Sequence, residues 1–367
     1  MIPAPAKPRY RVAIIGGGPG GSACALTLAK LGVPDVLLIE AGDYAQFRIG
    51  ESIPPEANHL LQTLGIAQDF LFEGHAPCYG SCSYWGSDKR GYNDTLMNPL
   101  GHGWHLERSR FNRFMAAQAR LRGIELLTNA RLASSSEAGG GFALQLTLGG
   151  TSQQRAASVH ADFVVDASGT RAVFARQRGS RKVDMPPLVC LAMRFAPSGA
   201  GTGLTHLEAV EHGWWYGAHL PDASLLLGFY SAADIIRTHR LQRTENWMAW
   251  LTDAPNTAAL TRNAAPLENV VQSFPAPSYC LDRLHGDNWL AIGDAASAYD
   301  PVTSQGIVKS IANGIAAANV INEGAATAGF AQSVQDQYRQ YLALRRTCYG
   351  WEQRWPESPF WRQFQLG

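Results

Sequence analysis

The stretch Tyr10-Arg-Val-Ala-Ile-Ile-Gly-Gly-Gly-Pro-Gly-Gly-Ser-Ala-Cys-Ala-Leu-Thr-Leu-Ala-Lys-Leu-Gly32 decides the fold. It reads as a short apolar strand, a glycine turn, and a helix that begins at once. Gly16, Gly18 and Gly21 keep the spacing G-x-G-x-x-G. The first glycine permits the tight turn, and the second lets a pyrophosphate approach the backbone. The third, with Ala23 and Ala25 behind it, lets helix and sheet close together. The helix N-terminus offers free N–H groups and positive partial charge to an anion. A second apolar strand, Val36-Leu-Leu-Ile39, ends in Glu40. That carboxylate is placed to accept from the hydroxyls of an adenosine ribose, and it would repel a 2′-phosphate. Strand, turn, helix, strand and acid in this order describe a site for the ADP half of FAD or NAD.

The remainder of the 367 residues leaves room for two or three domains. With 46% hydrophobic and 17% charged residues the chain is expected to fold rather than stay disordered. A net charge of +1 gives no argument for nucleic acid or an anionic membrane surface. No apolar run has the length of a membrane span. Residues Met1-Ile-Pro-Ala-Pro-Ala-Lys-Pro8 lack the apolar core of a secretory signal, so a cytoplasmic location is expected. Cys24, Cys78, Cys82, Cys190, Cys280 and Cys348 form neither a C-x-x-C pair nor a zinc spacing. No metal site is expected, and the cysteines read as ordinary thiols of a reducing compartment.

Further along, Glu56–Leu64 carries a helical apolar face closed by Gly65, and Tyr79–Trp85 alternates as a strand. A helix follows from Glu107, with Phe111, Phe114 and Met115 on one side. Phe142–Leu148 alternates strictly, as a half-buried antiparallel strand does, whereas Phe163–Asp166 is apolar like a strand buried on both faces. The Ser/Gly-rich patch 134–141 is expected to be a hairpin loop. Leu188–Phe195, Thr205–Val210, Trp214–Leu220 and Leu225–Tyr230 read as a second sheet, followed by one helix over Asp234–Leu251. Asn288–Asp294 then returns to the buried-strand pattern. The expected fold is α/β: a Rossmann-like nucleotide domain from 9–76, 100–184 and 274–325, with an inserted, mainly antiparallel β-sheet substrate domain from 77–99 and 185–273. A C-terminal helical segment, 326–367, completes it.

Two more stretches bear on the cofactor. Val164-Val-Asp-Ala-Ser-Gly169 is one, and Ala291-Ile-Gly-Asp-Ala-Ala296 with Pro301 and Gly306 downstream is the other. In the second, a strand delivers Gly293 and Asp294, and a helix begins near Ser304. Ile307, Ile311 and Ile315 recur at helical spacing, so this helix packs inward and aims its N-terminus at the crevice where α/β sheets bind ligands. An aspartate there can hold a polyol hydroxyl, and N–H groups near Gly306 can stabilise negative charge on a reduced isoalloxazine.

This set of motifs resembles the aromatic-hydroxylase superfamily of FAD monooxygenases. The loop Arg48-Ile-Gly-Glu-Ser-Ile-Pro-Pro55 is similar to that of the branch holding tryptophan halogenases and geranylgeranyl reductases. The resemblance implies FAD as cofactor, with Glu40 on the adenosine ribose, and Arg48, Ser52 and Arg108 near the cofactor. It also implies Asp166 and Gly169 in a second cofactor loop, Gly293 and Asp294 at the ribityl or pyrophosphate region, and Pro301–Gly306 beside the flavin ring. Flavin halogenases carry a lysine soon after this loop, but Pro77-Cys-Tyr-Gly-Ser-Cys-Ser-Tyr-Trp85 has none. Their W-x-W-x-I-P motif is replaced by Gly213-Trp-Trp-Tyr-Gly-Ala-His-Leu-Pro221. That stretch and the aromatic tail Arg345–Trp361 look more like flavoproteins that mature tryptophylquinone cofactors in amine and amino-acid oxidases, such as lysine and glycine oxidases. Their substrate is a tryptophan side chain of an immature partner oxidase.

The chemistry is consistent with these residue types. Transfer of an oxygen atom to indole needs water kept out and an aromatic surface to stack on. Tyr84, Trp214 and Tyr216 are the candidate substrate contacts, with Trp214 and Tyr216 on one strand face and Trp215 on the other. Glu51 is the favoured general base, with His219, His102 and His105 as further candidates. The aromatic tail is either a docking surface for a protein substrate or a lid on the core, with the first preferred. NAD(P)H or a separate flavin reductase would supply electrons to an enzyme that consumes molecular oxygen. A small-molecule aromatic hydroxylase or halogenase, an ene-type reductase, and a non-catalytic escort of an immature partner are the alternatives.

Overall fold

A computed structural model describes residues 4–150, 154–197 and 201–366. Strand Arg9–Ile15 is the centre of the larger sheet. It pairs in parallel with Val36–Ile39 on one side and with Arg155–Asp166 on the other. Glu125–Leu127 extends the first side, and Trp289–Ala291 the second, both in parallel. The register sets Ile15 beside Ile39 and Asp166, and Asp166 beside Ala291. Gly16, Glu40, Ala167 and Ile292 therefore leave the sheet at one edge, the carboxyl ends of parallel strands, where such sheets bind ligands. Val12–Ile15, Val36–Ile39, Val164–Asp166 and Trp289–Ala291 are buried throughout, as strands covered on both faces are. Phe142–Leu148, by contrast, alternates buried with less buried positions and pairs antiparallel on both sides.

The second sheet has seven strands in the order 272–275, 188–195, 225–232, 213–219, 205–210, 80–84, 91–94. Its two faces bury different residues. Trp214, Leu226, Tyr230 and Cys190 pack on the inner face with Tyr349, Phe360, Trp361 and Phe364 of the C-terminal segment. Trp215, Leu227, Phe229 and Trp247 pack on the outer face. A small sheet of Ser52–Ile53, Gly103–His105 and Ala76–Cys78 lies between the two large ones in the chain and carries the Glu51 loop.

Three local expectations need correction. Asp234–Leu251 is not one helix but two, Ala233–Thr238 and Thr244–Thr252, because Arg240 takes a left-handed φ of 51° and breaks the ladder. The patch 134–141 is a hairpin as expected, but its strands run through most of it and only Gly139 and Gly140 turn. Their φ values of 54° and 80° are what a two-residue hairpin turn requires. The aromatic tail is not a free docking surface. Phe360, Trp361 and Phe364 are completely buried, and the Trp361 indole N–H donates to the Val210 carbonyl at 3.0 Å. Trp351 alone among the tail's tryptophans is largely exposed.

Candidate active site

The glycine turn is built by steric necessity at two of its three positions. Gly16 has φ 114°, and a Cβ there would lie 2.2 Å from the Ala167 carbonyl oxygen. A Cβ on Gly21 would lie 1.9 Å from the Gly16 oxygen. Gly18 differs: a Cβ on it would meet nothing within 4 Å. Open space over a backbone that other constraints do not keep bare is what close approach of a ligand requires. Gly17 is crowded by a side chain rather than by backbone, since a Cβ there would lie 2.2 Å from the Tyr44 hydroxyl. Glu40 is buried, with Oε2 accepting from Gly17 N at 2.8 Å and Oε1 from Gly42 N at 2.9 Å. Its carboxylate is thus oriented before any ligand arrives, and each oxygen keeps a further lone pair.

Asp166 does a different job from a direct contact. It is fully buried, and its oxygens accept from Ser168 N at 3.0 Å, Ser168 Oγ at 2.6 Å and Ala175 N at 2.8 Å. It shapes the turn that presses Ala167 onto Gly16, and Gly169 follows at φ 66° with open space around its Cα. That turn packs against Gly293–Ala295. Asp294 is half-exposed there, with Oδ1 held by the buried Lys309 ammonium at 2.9 Å. Lys309 also donates to the Ser297 carbonyl, and it was not singled out by sequence reasoning. The helix Gly306–Glu323 begins beside open space at Gly306 and crosses Pro19–Lys30 so closely that a Cβ on Gly314 would lie 2.3 Å from the Gly20 oxygen. Ahead of it, the turn Pro301–Thr303 is capped by Asp300, whose Oδ1 accepts from Val302 N at 3.0 Å. Tyr349 and Arg345 hold the other oxygen of Asp300 from behind, at 2.8 and 3.3 Å.

At the opposite wall, Glu107 caps helix Arg108–Leu121 by accepting from Ser109 N and Arg110 N. This fixes Arg108, whose guanidinium donates to the Gly50 carbonyl at 2.8 Å and lies in the field of Glu51, Arg48 and Asp294. Arg48 itself is exposed. Glu51 is buried, and its Oε1 has no hydrogen-bond partner. Burial raises its carboxyl to about 7, opposed by neighbouring N–H groups, the Arg108 charge and the Tyr216 hydroxyl. From Tyr216 a chain of hydroxyls continues: Tyr216 to Ser52 at 2.8 Å, Ser52 to Thr205 at 2.9 Å, Thr205 to His105 Nε2 at 3.2 Å. Burial lowers His105 to about 4, so it stays neutral in this network.

The remaining candidates do not converge there. His219 alternates with Tyr216 on its strand and lines the outer face with Cys82, His206 and Gly217, so Glu51 and His219 lie on opposite sides of the sheet. Tyr84 follows Cys82 onto that same outer face, its ring 5.8 Å from that of His206. Trp214 is on the inner face but enclosed: it stacks on Tyr230 at 4.0 Å and donates to the Tyr349 hydroxyl. It forms the wall behind Tyr216 rather than a surface.

An open-backed glycine turn, an oriented buried acid, a half-exposed aspartate and an inward helix N-terminus along one sheet edge mark an FAD-dependent oxidoreductase. The chain belongs to the family described as "FAD binding domain", whose model matches residues 9–199. It is 28% identical to a protein of Marinomonas mediterranea described as an FAD-dependent oxidoreductase, LodB, over 96% of each chain. Among solved structures, the myxobacterial chondrochloren halogenase CndH superposes with a TM-score of 0.87 at 21% identity, covering 98% of this chain and 86% of that one. The peptidyl tryptophan dihydroxylase QhpG, essential for tryptophylquinone cofactor biogenesis, gives 0.79 at 22% identity, covering 97% and 79%. At these identities the two structures establish the shared fold.

Proposed function

We propose that the protein is an FAD-dependent monooxygenase that hydroxylates a tryptophan side chain of a partner oxidase during tryptophylquinone biogenesis. The observation that carries the reading is one side chain on the wall beside Arg108 and Tyr216. It is a buried carboxyl poised near neutrality, Glu51, and the strand segment 77–85 beside its loop offers no lysine. A carboxyl with that affinity suits removal of a ring proton at physiological pH. The fold shared with a peptidyl tryptophan dihydroxylase supports the choice of substrate, and similarity to LodB over 96% of each chain supports FAD-dependent redox chemistry.

The residues fit FAD. The turn at Gly16 and Gly18 with the following helix would hold the pyrophosphate, and Glu40 the adenosine ribose. Asp294 and Gly293 would hold the ribityl region, Pro301–Gly306 would border the ring, and Arg48, Ser52 and Arg108 would line the facing wall. Reduced FAD supplies the activation of dioxygen for transfer of one oxygen atom to an electron-rich ring. Glu51 takes the ring proton at Oε1, the oxygen left without a hydrogen-bond partner, while the Tyr216 hydroxyl, tied to Ser52 and through it to Thr205, holds the carboxyl in place. The tyrosine and tryptophan wall behind Glu51 excludes water. NAD(P)H or a flavin reductase delivers electrons transiently.

Co-expression of a candidate oxidase with and without this protein, followed by the mass of its tryptophan peptide, tests the reading. Added oxygen is expected. Addition of a halogen to the peptide or to free tryptophan would move the protein to the halogenases it resembles in fold. An unchanged peptide with a tightly bound, immature oxidase would make it an escort.

A further inference from the structure

Outside the flavin crevice, the outer face of the seven-stranded sheet carries a second group of reactive side chains. Cys82 Sγ lies 3.8 Å from His206 Nδ1, and Arg90 Nη2 lies 3.7 Å from the same sulfur. On its other side His206 Nε2 meets Thr257 Oγ1 at 3.0 Å and Glu208 Oε2 at 3.9 Å. Glu208 is locked in turn by Thr257 N and Oγ1 and by Asn256 Nδ2 at 2.8 Å. Cysteine, imidazole and carboxylate thus stand in line, with an arginine at the sulfur. His206 and Glu208 are about as buried as Cys82, which is 3% exposed. Beside the sulfur is a cavity of about 20 Å³, lined by Cys82, His206, Gly217, His219, Leu225 and Leu260. That is space for one molecule the size of water or hydrogen peroxide and for little more.

We propose that Cys82 is a modification site, a thiolate activated by His206, Glu208 and Arg90 that reacts with hydrogen peroxide. The sulfur attacks one peroxide oxygen, the S–O bond forms as the O–O bond breaks, and the sulfur is oxidised by two electrons. The departing hydroxide takes the proton of the His206 imidazolium, leaving Cys82 as sulfenic acid, one water and neutral imidazole. Burial alone would raise the Cys82 thiol, but His206 and Arg90 outweigh it and hold the thiol below its ordinary value. Cys82 and Glu208 likewise hold His206 above its ordinary value against burial, while burial lowers His219 across the cavity. At four other thiols burial prevails: it drives Cys24 to about 12, drives Cys280 to about 11 against the Lys309 charge, and raises Cys190 and Cys348 as well. Uncoupled turnover of a reduced flavin is a local source of peroxide, though the reaction at Cys82 does not depend on the substrate proposed above.

The test treats the FAD-loaded, full-length protein with hydrogen peroxide and follows each cysteine peptide for the mass of one added oxygen. Cys82 is expected to gain it first, ahead of the more exposed Cys348. The His206→Gln variant should slow the Cys82 reaction by about tenfold, because the thiolate loses its cationic partner. Arg90→Gln, at an exposed position that leaves the sheet undisturbed, should slow it too. Oxidation of Cys348 as fast as Cys82, or an unchanged Cys82 rate in Arg90→Gln, would overturn the proposal. Neither result depends on whether a tryptophan is hydroxylated.

Discussion

Gly16 and Gly18 are two glycines of one turn that are needed for opposite reasons. Gly16 is bare because its own chain crowds it, Gly18 because the space above it must stay open. Gly16→Ala should therefore lower the melting temperature, as strain at positive φ and a 2.2 Å contact demand. Gly18→Val should melt close to wild type yet fail to retain FAD on gel filtration. Equal melting losses in both would remove the distinction. The spacing was legible in sequence because the whole unit is local, but the reason for each glycine was not, since Ala167 comes from a strand far along the chain. Glu51 gives a second prediction. Its folded carboxyl sits at about 7 against an ordinary 4.5. Stability linked to it is thus complete below about 4.5 and is lost as pH rises through 7. In flavin-free protein, Glu51→Gln should be the more stable form at pH 8, by on the order of 3 kcal/mol at most, and indistinguishable at pH 4.5. Melting curves across that range with no divergence would show that Glu51 ionises freely.

At the scale of elements, the site depends on two helices whose N-termini face one crevice. Gly20 and Gly314 let Pro19–Lys30 and Gly306–Glu323 meet backbone to backbone. Gly314→Leu should push them apart and weaken FAD retention although residue 314 lies two turns from Gly306, a loss measurable by flavin fluorescence on dilution. Lys309→Met should weaken it as well by freeing Asp294 to swing, and full retention in that variant would make the 2.9 Å ion pair incidental. Periodicity identifies the inward face of the second helix through Ile307, Ile311 and Ile315. It could not reveal Gly314 or Lys309, because a glycine needed for a crossing and a lysine paired to a distant loop leave no repeating mark. The same limit explains the helix over Asp234–Leu251: apolar spacing runs through the break, and the left-handed Arg240 carries no glycine or proline to announce it. The alternation of Trp214, Trp215 and Tyr216 was readable, and it assigned faces correctly.

For the whole molecule, the segment beyond Gly350 is part of the core of the seven-stranded sheet. Trp361→Ala should cost about 3–5 kcal/mol, the range for emptying a buried aromatic site, and urea unfolding would check it. The tail's aromatic density was visible in the sequence, but composition cannot separate a buried cluster from an exposed one. Only pairing with Trp85, Trp214 and Val210 does that. Arg354 shows the same reach, binding Glu352 and Asp88 and donating to the Tyr84 and Ala209 carbonyls. These latches impose an order of events on biosynthesis. A chain emerging N-terminus first completes its glycine turn early, but the inner face of its second sheet stays uncovered until residues 359–366 have left the ribosome. Asp300 and the Pro301 turn wait equally on Arg345 and Tyr349. The wall around Gly16 and Glu40 thus comes from the early part of the chain, whereas the wall around Pro301 is complete only when the last helix is made.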